Sequence, residues 1–195
     1  MKSYSFKIFL LLIILMFLNC SDSKRRPINL FLQNADLIDK TCKEMDIDSR
    51  KYASIILAEL SQNYNWLDEF DYVRAENGFD ASVGITQMRV STFIWIEDNY
   101  QNKFINKSNN YDEVYNKISS DSINIVYSVF YVKLINDSYL NKYKKYPSVE
   151  ALGSYYARGI DYGRDNIDSS YANLVGQKAG EIYTSNLYID KFHID

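Results

Sequence analysis

Apolar residues recur at helical spacing along most of the chain, and this pattern predicts where the helices lie. The predicted helices cover approximately residues 30–43, 48–63, 91–96, 112–136, 147–158 and 169–185. Between them, residues 65–83 lack a sustained period and predict a loop or a short helix, residues 84–89 predict a tight element, and residues 101–110 predict a polar surface loop. No internal repeat or linker divides the chain, so the pattern predicts a single all-α domain.

The first twenty residues have a different pattern. Residues 8–18 form an unbroken apolar run that is too short to span a membrane and is typical of a secretory signal peptide. Cys20 follows this run and resembles the modified cysteine of bacterial lipoproteins, although residues 17–19 depart from the usual cleavage pattern. An uncleaved signal anchor, or a secreted protein with an unmodified Cys20, would also export the domain. The predicted organisation is a signal peptide over 1–19, a lipidated Cys20 with its tether over 20–29, and a globular domain over 30–195.

The composition supports a helical domain and limits its partners. Hydrophobic residues make up 47% of the chain, which is enough to bury a core without a metal or a disulfide, while Pro (2) and Gly (7) are scarce. The formal net charge is −3, and no basic stripe follows residues 24–26, so no nucleic-acid partner is expected. Cys42 is predicted to be a small, partly buried helix residue without a function.

Glu59 stands in the middle of an apolar run in the second predicted helix. Loss of hydration disfavours the ionised form of a carboxyl group and raises its pKa above the ordinary value of about 4.3. A carboxyl that keeps its proton near pH 7 can act as a general acid on a poor leaving group such as a glycosidic oxygen. The alternative is that Glu59 lies on the solvent-facing stripe of an amphipathic helix, and the periodicity alone does not exclude it.

Three segments follow one another in a familiar order. Glu59 and Ser61 come first, the segment SVGITQMRVST (82–92) second, and ALGSYYARG (151–159) with SSYANLVGQKAGEIY (169–183) last. Together they resemble the lytic transglycosylases of the goose-lysozyme-like superfamily. In that family a catalytic Glu ends a buried helix, a Gly-Leu-Met-Gln-like block lines the cleft, and an Ala-Ala-Tyr-Asn-Ala-Gly-like block closes it. The resemblance covers about residues 46–183 and implies a lysozyme-like all-α fold.

The resemblance implies a role for each matching residue. Glu59 matches the catalytic acid and base, although Leu60 separates it from Ser61, where the family more often has the two adjacent. Tyr155 falls on the tyrosine of the last block and Tyr156 on its asparagine. The implied substrate-binding residues are Ser61, Gly84, Gln87, Met88, Tyr155 and Tyr156, with Trp66 as a further candidate to stack against a sugar.

The chain also departs from the family pattern. Arg158 replaces the usual Gly of the last block, and the usual Glu of the closing helix is absent, with Asp168 as a loose substitute. The longer spacing between Glu59 and Gln87 makes residues 67–80 an insertion beside the cleft. Within it, RAENGFD (74–80) resembles the family's Glu-Ser-x-Phe signature and offers Glu76 as an alternative acid, but the charged residues that precede it favour Glu59.

The resemblance implies that the substrate is peptidoglycan and that the MurNAc-β-1,4-GlcNAc bond is cleaved to a 1,6-anhydro product. Glu59 would protonate the glycosidic oxygen, the N-acetyl carbonyl would stabilise the developing cation, and Glu59 would then accept the proton of the C6 hydroxyl. This chemistry needs no metal or cofactor, and the lone His193 is predicted to be a solvated residue of the C-terminal tail. The protein would be exported and held by its lipid anchor at a membrane, facing the periplasm or cell wall.

Two other functions remain open at this point. The first is a lysozyme-type hydrolase in which an acid of the insertion, Asp68, Asp71 or Asp80, activates water. The second is a lipoprotein that keeps the scaffold and binds murein or a protein without cleaving it.

Overall fold

The structure is a computed structural model that describes residues 25–63, 68–159 and 171–185. Within these ranges the protein is mostly helical, as predicted, with one short hairpin. The helices are α1 (Arg25–Gln33), α2 (Ala35–Glu44), α3 (Ser49–Asn63), α4 (Asp68–Glu76), α5 (Val90–Asn99), α6 (Tyr111–Ile118), α7 (Asp121–Tyr143), α8 (Val149–Arg158) and α9 (Tyr171–Ser185). The strands are β1 (Ser82–Val83) and β2 (Met88–Arg89).

The predicted signal peptide over 1–19 and the predicted lipidation site Cys20 lie outside the described residues. Helix α1 begins at Arg25, so part of the predicted tether over 20–29 is helical. Cys42 is fully buried in α2, rather than partly buried as predicted, and has no disulfide partner among the described residues. In the same part of the chain, no helix combines the length and the apolarity needed to cross a bilayer.

Two helices predicted as continuous are each divided. The segment predicted as 30–43 breaks at Asn34, whose side-chain amide donates to the Leu30 carbonyl at 2.9 Å. The segment predicted as 112–136 breaks between α6 and α7, and α7 continues to Tyr143. The sequence pattern does not reveal the second break, because Ile118 and Ile125 are two helical turns apart and keep the same phase across it.

Helix α3 is buried along most of its length. Asp48 precedes it, and the Asp48 Oδ1 atom accepts from the backbone N–H groups of Arg50 (2.9 Å) and Lys51 (3.1 Å), which would otherwise lack partners at the helix start. Every residue from 52 to 60 is buried. Helices α8 and α9 pack against α3, so this part of the helix has no solvent-facing stripe.

The hairpin directly precedes α5. Strands β1 and β2 are antiparallel, with Val83 paired to Met88, and residues 84–87 form the turn between them. Helix α4 packs on β1. The predicted tight element over 84–89 is therefore a turn with the second strand of a two-stranded hairpin.

Helices α8 and α9 make the closest helix contact near α3. Ser148 caps α8, because its side chain accepts from the Ala151 N–H at 3.2 Å. At the contact, a Cβ atom on Gly176 would collide with the Glu150 carbonyl oxygen. On α9, Leu174 is 54% exposed, whereas the adjacent Val175 is buried.

Gly176→Ala is expected to lower the free energy of unfolding by about 1–3 kcal/mol, because the added methyl group meets backbone that cannot move without separating α8 from α9. Gly180→Ala is the matched control on the same helix, since its methyl group would meet only the side chain of the exposed Glu150, which can rotate away. Urea unfolding followed by circular dichroism measures both. Equal losses in the two variants would contradict the close contact at Gly176.

Candidate active site

Glu59 is a buried carboxyl close to the end of α3, with only 5% of its surface exposed. It is the one charged residue in the buried run from 52 to 60. Burial is the main cause that raises the pKa of Tyr156, and the negative charge of Glu59 contributes to the same shift, so the two groups lie within electrostatic range. The alternative acid, Glu76, is exposed at the end of α4. The structure thus places Glu59, and not Glu76, where a carboxyl group is dehydrated.

A chain of buried hydroxyl groups runs past this carboxyl. The Tyr52 hydroxyl donates to Ser128 Oγ at 3.1 Å, and Ser128 Oγ lies 2.9 Å from the Tyr156 hydroxyl. The Tyr156 hydroxyl donates to the Thr86 carbonyl at 2.9 Å, so it accepts the Ser128 proton. Burial raises the pKa of both tyrosines far above the ordinary value, which keeps them protonated as donors. The chain connects α3, α7 and α8 to the turn over residues 84–87.

The 84–87 turn has two residues with left-handed backbone. Gly84 has a φ of +82°, and the side chain of Asn124 fills the space that a Cβ atom would need there. Gln87 has a φ of +54°, and both its backbone N–H (3.1 Å) and its side-chain amide (3.2 Å) donate to the Gly84 carbonyl. Its Oε1 atom is buried and accepts no hydrogen bond from any described residue. Such an acceptor can receive an N–H group from a ligand.

The two tyrosines of the last predicted block point to different neighbours. Tyr156 bonds to the 84–87 turn and lies within electrostatic range of Glu59. Tyr155 is half-buried against α7, with its ring 5.8 Å from that of Tyr139 and its hydroxyl 3.5 Å from that of Tyr143. Consecutive residues of a helix face directions about 100° apart, so only one of the pair can face α3 and the turn. Tyr156 is the residue of the pair that bonds to the 84–87 turn.

Two further predicted substrate contacts are used within the fold. The Ser61 hydroxyl donates to the Ala58 carbonyl of its own helix at 2.9 Å. Met88 is 2% exposed and packs in the hydrophobic core. The reason is strand geometry, because successive side chains alternate in direction and it is Arg89 that faces solvent.

Two acids of the 67–80 segment are engaged in surface contacts. Asp71 pairs with Arg74 at 2.9 Å. Asp80 accepts from the Ser91 N–H at 3.0 Å near the start of α5 and pairs with Arg89 at 3.4 Å. Outside the described side chains lie Trp66, Asp68, Asp168, Tyr171, Ala172 and His193.

Sequence reasoning missed four polar residues that organise this region. Asn124 and Ser128 lie one helical turn apart on α7, and both are fully buried, as are Thr86 and Tyr52. The sequence could have indicated the two residues of α7, because each is a polar residue flanked by apolar residues within a predicted helix. The partner of each residue depends on the fold, so the pattern gives no way to find it.

A separate cavity of about 170 Å³ lies between α5, α6 and the loop before α6, and includes none of the predicted site residues. Its buried carboxyl, Glu97, accepts from the Tyr127 hydroxyl (2.8 Å), the Lys117 amine (3.1 Å) and the Ser108 N–H (2.8 Å). These contacts fasten the loop over residues 101–110, so we assign Glu97 a structural role.

Across the described ranges, no group of three or more His, Cys, Asp or Glu side chains could hold a metal ion.

The geometry therefore joins one residue or more from each of the three segments singled out in the sequence: Glu59, the 84–87 turn and Tyr156. Comparisons of the chain with protein family models, with curated proteins and with solved structures find no match. The interpretation of the site rests on its own residues and contacts.

Tyr156→Phe is expected to lower the free energy of unfolding by about 1–3 kcal/mol, because the buried Thr86 carbonyl loses its donor. Tyr139→Phe is the control, since it removes a hydroxyl from a half-buried tyrosine outside the chain of hydroxyl groups; its expected effect is within about 0.5 kcal/mol. Guanidinium unfolding measures both variants. A loss no larger for Tyr156→Phe than for Tyr139→Phe would show that the hydroxyl chain does not support the turn.

Proposed function

We propose that the protein is a peptidoglycan lytic transglycosylase with Glu59 as its catalytic acid and base. The observation that supports the proposal is the burial of Glu59 within electrostatic range of Tyr156. The Tyr156 hydroxyl binds the carbonyl of Thr86, which directly precedes Gln87. A carboxyl group deprived of water favours its protonated form, which is the form a general acid needs. The resemblance of the three segments to the family supports the same assignment.

The proposed reaction needs no group beyond Glu59 and the substrate. Glu59 donates its proton to the oxygen that joins MurNAc to GlcNAc, the bond from this oxygen to C1 of MurNAc breaks, and the N-acetyl carbonyl stabilises the positive charge at C1. The Glu59 carboxylate then accepts the proton of the MurNAc C6 hydroxyl, and O6 bonds to C1. No water is consumed, and Glu59 regains its proton for the next cycle.

Gln87 is proposed to bind an N-acetyl group of the substrate. Its side-chain N–H already donates to Gly84, which leaves the buried Oε1 atom as the acceptor for the N–H of an N-acetyl sugar. Tyr156 is proposed to hold the turn rather than to stack on a sugar, because its hydroxyl is already bonded at both sides.

The proposal includes the location of the enzyme. The apolar run over residues 8–18 and the cysteine that follows it support export and lipidation at Cys20. Such an anchor would hold the domain at a membrane next to the cell wall, where glycan strands are within reach.

Glu59→Gln is expected to lower the rate of release of soluble fragments from purified sacculi by about 10²–10⁴-fold, because the amide cannot supply a proton. The variant should keep its circular dichroism spectrum, since the amide has the size of the carboxyl. Glu76→Gln is the matched control and should stay active, because Glu76 is exposed. An active Glu59→Gln or an inactive Glu76→Gln would contradict the assignment. A wild-type protein that binds sacculi without releasing fragments would be a murein-binding lipoprotein instead.

The products are expected to carry 1,6-anhydro ends, which weigh one water less than reducing ends in mass spectrometry. A well-oriented intramolecular hydroxyl can have an effective molarity of about 10⁵ M, against roughly 55 M for water. Asp71→Asn and Asp80→Asn should both remain active, because these acids serve surface contacts. Products with reducing ends only, together with loss of activity in either variant, would identify a hydrolase that uses a second carboxylate.

A further inference from the structure

A buried asparagine on α7 ties the hairpin to the end of α6. Asn124 is fully buried, and its Oδ1 atom accepts from both the Thr86 N–H (3.0 Å) and the Thr86 hydroxyl (2.6 Å). Its amide nitrogen donates to the carbonyls of Val83 (3.2 Å) and Ile118 (3.1 Å). A buried amide with both donors and both acceptor sites satisfied is fixed in position.

Thr86 is consequently held on three sides. Asn124 binds its N–H and its hydroxyl, while Tyr156 binds its carbonyl. Tyr156 is in turn bonded to Ser128, which lies one helical turn after Asn124 on α7. The N–H and the hydroxyl of Thr86 are therefore bonded to α7 directly, and its carbonyl is linked to α7 through Tyr156.

The turn needs such support from outside the hairpin. Each strand has only two residues, so the hairpin has few hydrogen bonds of its own. Gln87, directly after Thr86, has left-handed backbone, which is unfavourable for a residue with a Cβ atom and persists where the surroundings enforce it. The position of Thr86 sets where the Gln87 side chain and its free Oε1 atom point.

We propose that Asn124 and Ser128 are positioning residues of α7 that hold Thr86 and thereby aim Gln87 at the N-acetyl group of the substrate. The identity of the ligand rests on the proposed function, whereas the hold on Thr86 does not depend on it. Asn124→Ala would leave several buried groups without partners and risks unfolding, so Thr86 is the better residue to change.

Three variants isolate the hydroxyl of Thr86. Thr86→Val removes the hydroxyl donor and keeps the size of the side chain and the backbone bond to Asn124. Thr86→Ser keeps the hydroxyl and loses only a methyl group, so it is the conservative rescue. Ser54→Ala removes a buried hydroxyl that donates to the Arg50 carbonyl within α3, and it serves as the control for a buried hydroxyl lost elsewhere.

Two measurements are made on the folded variants: hydrogen–deuterium exchange of peptides that cover residues 84–87, and the maximal rate and half-saturation of fragment release from purified sacculi. Thr86→Val is expected to exchange faster over 84–87 and to lose about tenfold in maximal rate, because the catalytic geometry is disturbed. Thr86→Ser and Ser54→Ala are expected to match the wild type in both measurements.

The outcomes separate the positioning role from the proposed function. Faster exchange and slower release in Thr86→Val alone support positioning by α7. Equal losses in Thr86→Val and Thr86→Ser would assign the effect to packing and overturn the inference, as would wild-type behaviour of Thr86→Val. If the wild type releases nothing from sacculi, the proposed function fails, but the exchange measurement over 84–87 still tests whether α7 holds Thr86. Faster exchange in Thr86→Val alone supports that hold. Equal exchange in all variants overturns it.

Discussion

The complete burial of the middle of α3 is the constraint on which the rest of the structure depends. Every residue between 52 and 60 is buried, so each polar side chain there needs a partner inside the protein. Tyr52 donates to Ser128 of α7, and Ser54 donates to the Arg50 carbonyl of its own helix. Glu59 is the one charged residue of this run, and its negative charge acts on the Tyr156 hydroxyl. An ordinary amphipathic helix would have left the same residue in water.

The buried polar groups connect the elements that surround Glu59. The hydroxyl chain begins on α3 at Tyr52 and ends at the Thr86 carbonyl, and Asn124 binds the other side of Thr86. A fully satisfied buried network favours a single arrangement, because any shift breaks hydrogen bonds that water cannot replace. The position of the 84–87 turn relative to α3 is therefore set by side chains of α7 and α8.

Local rules explain what was predictable from the sequence. The helices follow from their period, whereas the apolar neighbours of Glu59 left its burial as one of two open interpretations, which the structure decides. The break between α6 and α7 was not predictable, because the apolar phase continues across residues 119–120. Whether Tyr155 or Tyr156 bonds to the turn depends on how α8 packs against α3 and α7. No local sequence pattern determines that packing. The same is true of Asn124, whose partners lie in the hairpin and at the end of α6.

The hydrogen bonds that complete the site join residues far apart along the chain. Asn124 and Thr86 are separated by 38 positions, Tyr156 and Thr86 by 70, and Tyr52 and Ser128 by 76. Closing loops of this length costs entropy before any contact stabilises them, so such contacts slow folding. Because α8 follows α3 by about ninety residues, the contacts of Tyr156 with Ser128 and with Thr86 form only after most of the chain has been synthesised. The surroundings of Glu59 are thus a property of the assembled core and not of α3 alone.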